Sequence, residues 1–376
     1  MKQYDYIIAG AGAAGLTLAY LLTGYEDRQK SILIIDKDSK SANDRTWCFW
    51  EKESNLFENL VFKSWKKASF KTSDWSETYN LSPYSYKMIR GIDFYKFMKT
   101  ELNRANIEWI QEEVLDIKPE GIVKTKSGDF KGGLVFNSIF NQQELESTNS
   151  LTVLQHFKGW IIETQQPAFD PENATYMDFS VPQQGDCRFG YILPFTEKKA
   201  LVEYTLFNDG LLEQDEYDLA LKEYLKKLDI EEYRVTEVEY GIIPMTDHHF
   251  KIRESDHVFN IGIKGGFAKA STGYTFLRGQ KILKKMAENI TLSQAPDLDL
   301  PFQTGRFKLY DGTLLKVLSD RKFTGEDIFG QLFRKNGIHL MFRFLDEETS
   351  LAEELKIMSS TPLLHFGKAF VQQLTK

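Results

Sequence analysis

The sequence predicts an α/β fold: a Rossmann-type nucleotide-binding domain split in two, with an antiparallel sheet inserted between its pieces and a helical region after them. Three observations predict it. The chain opens on an apolar strand, a glycine turn and a helix in "YDYIIAGAGAAGLTLAYLL"; residues 153–246 change to long strands with one helix among them; and a strand, glycine turn and helix return in "HVFNIGIKGGFAKASTGYTFLRGQKILKKMAENI". The expected boundaries are 1–150 for the first nucleotide-binding segment, 151–250 for a substrate-binding sheet, 251–290 for the returning segment and 291–376 for the helical region.

In the opening unit the G-x-G-x-x-G spacing falls on Gly10, Gly12 and Gly15, with Ala13 at the start of the helix. Gly10 permits the tight turn, Gly12 lets the backbone approach a pyrophosphate and Gly15 lets helix pack on strand, while the helix N-terminus offers free amides. The second strand, "SILIIDKD", ends at Asp36, about 20 residues further on, where an acid accepts hydrogen bonds from a ribose. A dinucleotide site is therefore expected. "SANDRTWCFWEKE" then reads as a polar turn carrying Arg45 and three large aromatics, where a nicotinamide dehydrogenase would continue its parallel sheet. That interruption favours FAD and a fold of the flavoprotein monooxygenase-like kind. Arg45 is a candidate phosphate ligand, with a surface ion-pair partner as the plainer reading.

Further along, "IDFYKFMKTELNRA" has helical periodicity, and "IEWI" with "EEVLDIKPEGIVKTKSGDFKGGLVF" reads as a β-meander closing the first segment. "VLQHFKGWIIET", "ATYMDFS", "CRFGYILPF" and "KALVEYTLF" are strands, "EQDEYDLALKEYLKK" is a helix, and "YRVTEVEYGIIPM" returns to the sheet. In the returning segment Gly265 and Gly266 form the second turn, Ser271 or Thr272 is the expected helix N-cap, and Thr272 and Gly273 complete the candidate cofactor contacts. Beyond residue 300, "DGTLLKVLSD", "TGEDIFGQLFRK", "HLMFRFLDE" and "TSLAEELKIMSS" are helices. "RKFTGEDIFGQLFRK" sets basic residues beside Phe and Leu, which fits a solvated helix face or a membrane contact.

Composition narrows the function classes. A net charge of -7 argues against a nucleic-acid partner. Cys48 and Cys187 are too few for a disulfide framework or a cysteine zinc site, adjacent His248 and His249 point opposite ways on an extended chain, and no metal is expected. No signal peptide and no run of 18 apolar residues is seen. A cytoplasmic protein is expected. Aromatic residues make up 14% of the chain, which suits a large apolar binding surface or simply a Phe-rich core.

One residue stands out in "ALVEYTLF". Glu203 interrupts a strand that otherwise favours burial, and a buried charge costs several kcal/mol unless something uses it. Alternation puts Leu201, Glu203 and Thr205 on one face and Val202, Tyr204 and Leu206 on the other, so periodicity leaves both the solvent face and the core open to Glu203.

"GAGAAG", "DRTWCFW", "MDF" at 177–179, "FGYILPFTEKKALVEYT", "YGIIPM" and "GGFAKASTGYTF" together resemble, in order and approximate spacing, the lycopene β-cyclase family of FAD-dependent carotenoid cyclases. The resemblance covers residues 5 to about 285. It implies that Glu203 is the essential acidic residue, with Asp178 assisting by orienting or polarising it. It also implies FAD active in its reduced form with NAD(P)H as external reductant, a linear carotene such as lycopene as substrate, no net redox change, and peripheral association with the cytoplasmic face of the inner membrane. Two other readings compete: a redox flavoenzyme, either aromatic hydroxylase or isoprenoid reductase, and a carotenoid-binding protein without turnover.

Overall fold

The structure, a computed structural model, describes residues 1–24, 30–296, 298 and 305–375. Contacts group the chain into two units, each assembled from three segments. The first comprises Met1–Trp47, Arg90–Asn149 and His248–Gly305; the second comprises Cys48–Ile89, Ser150–Asp247 and Arg306–Lys376. Residues 48–89, which the expected boundaries assign to the first nucleotide-binding segment, thus group with the inserted sheet, and so do the C-terminal helices. Residues 297 and 299–304, within the expected helical region of 291–376, lie outside the described residues.

The first unit is built on a sheet ordered 107–111, 32–36, 2–9, 129–137, 122–124 and 116–118, with Val258–Asn260 also paired to 129–137. Strands 107–111, 32–36, 2–9, 129–137 and 258–260 run parallel. "IEWI" therefore belongs to the parallel sheet, not to the meander, which consists of 116–118, 122–124 and 129–137. The central strands Ile32–Asp36 and Lys2–Ala9 are buried runs of Ile and Leu, the pattern of a sheet covered on both faces. Helix Ala13–Gly24 is buried around most of its circumference because it packs on both the sheet and helix Phe276–Thr291. Trp47 stacks on Phe276 at 5.1 Å and meets the edge of Phe94 at 5.2 Å, tying the start of that helix to helix Gly91–Glu101.

The second unit contains a seven-stranded sheet ordered 233–246, 152–164, 199–208, 187–194, 173–178, 67–71 and 76–80. It is antiparallel except where 173–178 and 67–71 run parallel. A three-stranded sheet is ordered 46–51, 85–90 and 63–65, so "TWCFWE" is a strand and the polar turn ends before it. Four C-terminal helices, 306–319, 331–345, 351–359 and 363–374, complete the unit. The last lies in the expected helical region, though no separate helix was expected at its position.

Each face of the seven-stranded sheet has its own cover. Val202, Tyr204 and Leu206 join Trp160, Ile162 and Ile192 under helix Gln214–Lys227, against its Tyr217, Leu221, Tyr224 and Leu225. The helix comes close because Gly190 is bare: a β-carbon there would lie 2.2 Å from the Tyr224 ring. Its Glu213 and Glu216 form a reciprocal cap at the N-terminus. Cover is shared among aromatic rings elsewhere in the unit: Trp50 stacks on Phe342 at 4.5 Å, Phe70 on Phe333 at 4.4 Å and Phe179 on Phe329 at 5.7 Å. Ile328, Phe329, Leu332 and Phe333 are therefore core residues, and "RKFTGEDIFGQLFRK" turns its apolar side inward, not to solvent or lipid.

Gly190→Ala is expected to destabilise the protein by about 1–3 kcal/mol, the range for overpacking a filled core, measured as a lower urea midpoint at unchanged slope. An unchanged midpoint would mean that the helix stands off the sheet.

Candidate active site

The glycine turn has the shape of a phosphate cradle. Gly10 adopts φ 98°, which favours glycine, and its N–H donates to the Ile35 carbonyl at 2.8 Å. A β-carbon on Gly15 would lie 2.1 Å from the Gly10 carbonyl oxygen, so the helix can start here only without a side chain. At Gly12 a β-carbon would meet no protein atom within 4 Å. The open space at the mouth of the helix that begins at Ala13 is what a bound pyrophosphate requires.

Asp36 already has protein partners. One carboxylate oxygen accepts the Ala11 N–H at 2.6 Å and lies 3.6 Å from the Lys40 ammonium, and the other accepts the Asp38 N–H at 2.8 Å. It braces the turn, with lone pairs left for a ribose hydroxyl. Arg45 is exposed and donates to the Asp44 carbonyl. Both Arg45 and Asp36 act electrostatically on the Tyr95 hydroxyl, whose pKa burial pushes well up, so the two flank one corner of this unit. Ser138 escaped the sequence reading: its hydroxyl donates to the Ala9 and Gly10 carbonyls at 3.1 and 3.0 Å, propping the turn from below. A serine after a strand carries no signal that would have singled it out.

The second glycine turn differs from expectation. Helix Phe276–Thr291 starts several residues after Ser271 and Thr272, with Thr275 at its cap position and no side-chain cap. Gly265 N–H donates to Ile261 and Gly262, Gly266 N–H to Ile263, and Thr272 and Gly273 N–H to Lys269. Those amides are spent on folding the loop, so Gly265, Gly266, Thr272 and Gly273 can offer a cofactor close backbone approach instead of a ring of free donors. Gly266 at φ 75° and Gly273 at φ 71° are glycines because the loop bends there.

Glu203 is buried, at 8% exposure, on the sheet face opposite the helix. Across the strands its row reads Glu239, Gly159, Glu203, Tyr191. Gly159 is bare, and a β-carbon there would lie 2.8 Å from Glu203 Cγ and 3.1 Å from Glu239 Cγ, so the two glutamates lean together over the glycine. Burial first, then Glu239 as hydrogen-bonding neighbour and negative charge, holds the Glu203 carboxyl well above the usual range. Tyr191 shares a 2.5 Å hydroxyl–hydroxyl bond with Tyr86 of the three-stranded sheet, and the Tyr86 ring meets Tyr176 edge-on at 5.6 Å. Cys48 sits in the same enclosure, its thiol pushed up by burial and by Glu203 and Glu239. The arrangement is a buried acid whose pKa is raised, with a second carboxylate on one side and tyrosine hydroxyls on the other. Glu239 escaped the sequence reading because "EVEYG" alternates as a solvated edge strand does.

Asp178 lies elsewhere. Between Thr175 and Asp178 the strand carries a bulge, so both residues land on the helix side, opposite Ile192 and Gly190. There one Asp178 oxygen accepts the Tyr224 hydroxyl at 3.0 Å and the other accepts the Ser180 N–H at 3.0 Å. Asp178 caps a turn and anchors the covering helix; the expected direct partnership with Glu203 is replaced by Glu239.

Residues 5–370 match the family described as lycopene cyclase protein. The chain is 24% identical over 391 residues to a lycopene beta-cyclase of a Paracoccus species, covering 97% of this chain and 96% of that one. It is 24% identical to a chloroplastic neoxanthin synthase of Solanum tuberosum over 77% of this chain and 60% of that one. In fold it is similar to a geranylgeranyl bacteriochlorophyll reductase-like protein of Thermoplasma acidophilum, with TM-score 0.67, 12% identity and coverage of 99% and 100%. A flavoprotein/dehydrogenase of Cytophaga hutchinsonii gives TM-score 0.64 at 12% identity, with 99% of both chains covered. The flavoprotein monooxygenase-like fold is thereby established.

Glu203→Gln tests the buried acid through stability. With the native pKa raised, the full contribution is present below the ordinary carboxylate value of about 4.3 and is lost as pH rises toward the native value, at up to about 1.4 kcal/mol per unit. The variant should therefore gain on the wild type in urea unfolding as pH rises from about 4. Parallel stability curves would place Glu203 in water.

Proposed function

The chain belongs to the lycopene cyclase protein family, and from that premise we propose that it closes the linear ψ-ends of lycopene into β-ionone rings, giving γ-carotene and β-carotene with no net redox change. The observation that carries the reading is the buried Glu203 carboxyl, raised well above the usual range, beside Tyr191 and its hydroxyl partner Tyr86. Ring closure adds one proton to the terminal carbon–carbon double bond, forms a carbon–carbon bond when the next double bond attacks the cation, and releases one proton from the new ring. Atoms and electrons balance without an oxidant. Glu203 holds the proton that starts the sequence; aromatic faces stabilise the cation and keep water away; the carboxylate left behind is the base for the proton that leaves.

The cofactor in this reading is FAD, held by Gly10, Gly12, Ala13, Gly15 and Asp36, with Arg45 and the second glycine turn in support. Bound and reduced by an external NAD(P)H, it supplies negative charge that favours a cation. The chain's own residues keep the pyrophosphate at the helix mouth and the acid protonated.

The substrate is a hydrocarbon that dissolves in a bilayer, and among the described residues no helix is long and apolar enough to cross one. We infer peripheral docking on the inner membrane from its cytoplasmic side. Leu351 and Leu355 on one C-terminal helix and Leu363, Leu364, Val371 and Leu374 on the next are exposed, and they give an amphipathic surface suited to the acyl boundary.

Two measurements test the function. Glu203→Gln should retain flavin absorbance and fold while ring closure of vesicle-held lycopene falls by orders of magnitude; near wild-type turnover would refute the acid. Product mass equal to substrate mass supports cyclisation, whereas an added oxygen or added hydrogens would reveal a hydroxylase or a reductase. For docking, the pair Leu355→Glu and Leu364→Glu should release the protein from sedimenting vesicles, and retention on them would remove these helices as the contact.

A further inference from the structure

The pairing over Gly159 carries one step more, and it rests on the reading of Glu203 as the acid. We propose that Glu239 is the positioning residue of this site: its carboxylate accepts the Glu203 O–H across the bare glycine, and that hydrogen bond both retains the proton and aims it.

Register is the first support. Gly159 stands in the middle strand of three, directly opposite Glu203 on one neighbour and Glu239 on the other. Such positions lie about 5 Å apart per strand, so two side chains flanking one central residue normally have that residue's side chain between them. Here a β-carbon would lie within about 3 Å of Glu203 Cγ, Glu239 Cγ and Leu201 Cδ1 together, which means the space above Gly159 is filled by the two glutamates and Leu201. Removing the side chain from the centre strand is what allows the outer pair to meet.

Surroundings are the second support. The groups that face Glu203 are Glu239 from the edge strand, with the exposed Glu237 beyond it, Tyr191 from the strand on its other side, and Cys48 and Tyr86 from the three-stranded sheet. None of these is a cation. An enclosed carboxylic acid facing a second carboxylate and neutral hydroxyls keeps its proton, because ionising it would set two negative charges side by side without compensation. Tyr86 and Tyr191 share a hydroxyl–hydroxyl bond, and Glu239 is the negatively charged acceptor that leans against Glu203 over Gly159. A proton held this way is lent to a base within reach and taken back, which is the behaviour that a cyclisation, consuming one proton and returning one, requires of its acid.

The test uses the full-length, flavin-loaded protein in two readouts. In the first, ring closure of lycopene in phosphatidylcholine vesicles is followed against pH. Glu239→Gln removes the neighbouring charge, so Glu203 ionises earlier and the alkaline limb of the profile should move to lower pH by at least one unit, a tenfold loss at the alkaline end. Glu239→Asp should recover part of the shift. In the second, the carbonyl stretch of the protonated carboxyl is titrated by infrared difference spectroscopy without substrate. It should vanish in Glu203→Gln and titrate at lower pH in Glu239→Gln. Gly159→Ala keeps both carboxyls but wedges them apart; it should shift the infrared titration in the same direction, and it replaces Glu239→Gln if that variant does not fold. Wild-type titration and profile in both variants would overturn the pairing. If instead Glu203→Gln still closes rings while the infrared shift is present, the carboxyls are paired and the reading of Glu203 as the acid is what fails.

Discussion

The second unit depends on the strict alternation of one sheet. Because successive side chains point to opposite faces, a single helix covering Val202, Tyr204 and Leu206 commits Leu201, Glu203 and Thr205 to the other face, and the neighbouring strands follow in register. Everything chemical in the unit inherits that choice. Lys158 pairs with Asp218 and His156 bonds Tyr217 on the helix side, whereas Gly159, Glu203, Glu239 and Tyr191 gather on the reverse. One departure from alternation, the bulge before Asp178, is enough to move a carboxylate from one group to the other.

Much of this was legible in the sequence, and the residues show why. The first glycine turn reads correctly because each glycine answers a local demand: φ 98° at Gly10, no room at Gly15, open space at Gly12. Long strands such as 152–164 and 199–208 read correctly because five or more apolar positions alternate or run together. The segment 48–89 did not. Its strands are three to six residues long, too short for a periodic signal, and what joins them to the inserted sheet is one pairing, 67–71 with 173–178, about a hundred positions away. Helix 363–374 lies within the expected helical region of 291–376 but has no pattern of its own to mark it, because its Leu and Val residues are largely exposed and it lacks a buried stripe.

At the site itself, sequence could single out Glu203 as an anomaly but not its neighbour. Register across three strands makes Glu239 its partner, and register is a non-local quantity. Aromatic content divides likewise. Phe94 and Phe276 are ordinary core, while Tyr191 and its partner Tyr86 stand beside the acid, and composition alone has no means to separate the two groups.

Both units are stitched from three segments, which bears on the order of events at the ribosome. Strand 2–9 meets its partner at 129–137 only after more than a hundred residues have been made, and the unit waits again for strand 258–260. Trp50 and Phe70 emerge early, yet the rings that stack on them, Phe342 and Phe333, come from the last tenth of the chain or just before it. During synthesis those early aromatics therefore stand uncovered for most of translation, a span in which a growing chain is exposed to aggregation and in need of chaperones. A chain ending at residue 305 would never leave that condition: the surface prepared for the C-terminal helices would remain open, as an adhesive patch on an otherwise finished sheet.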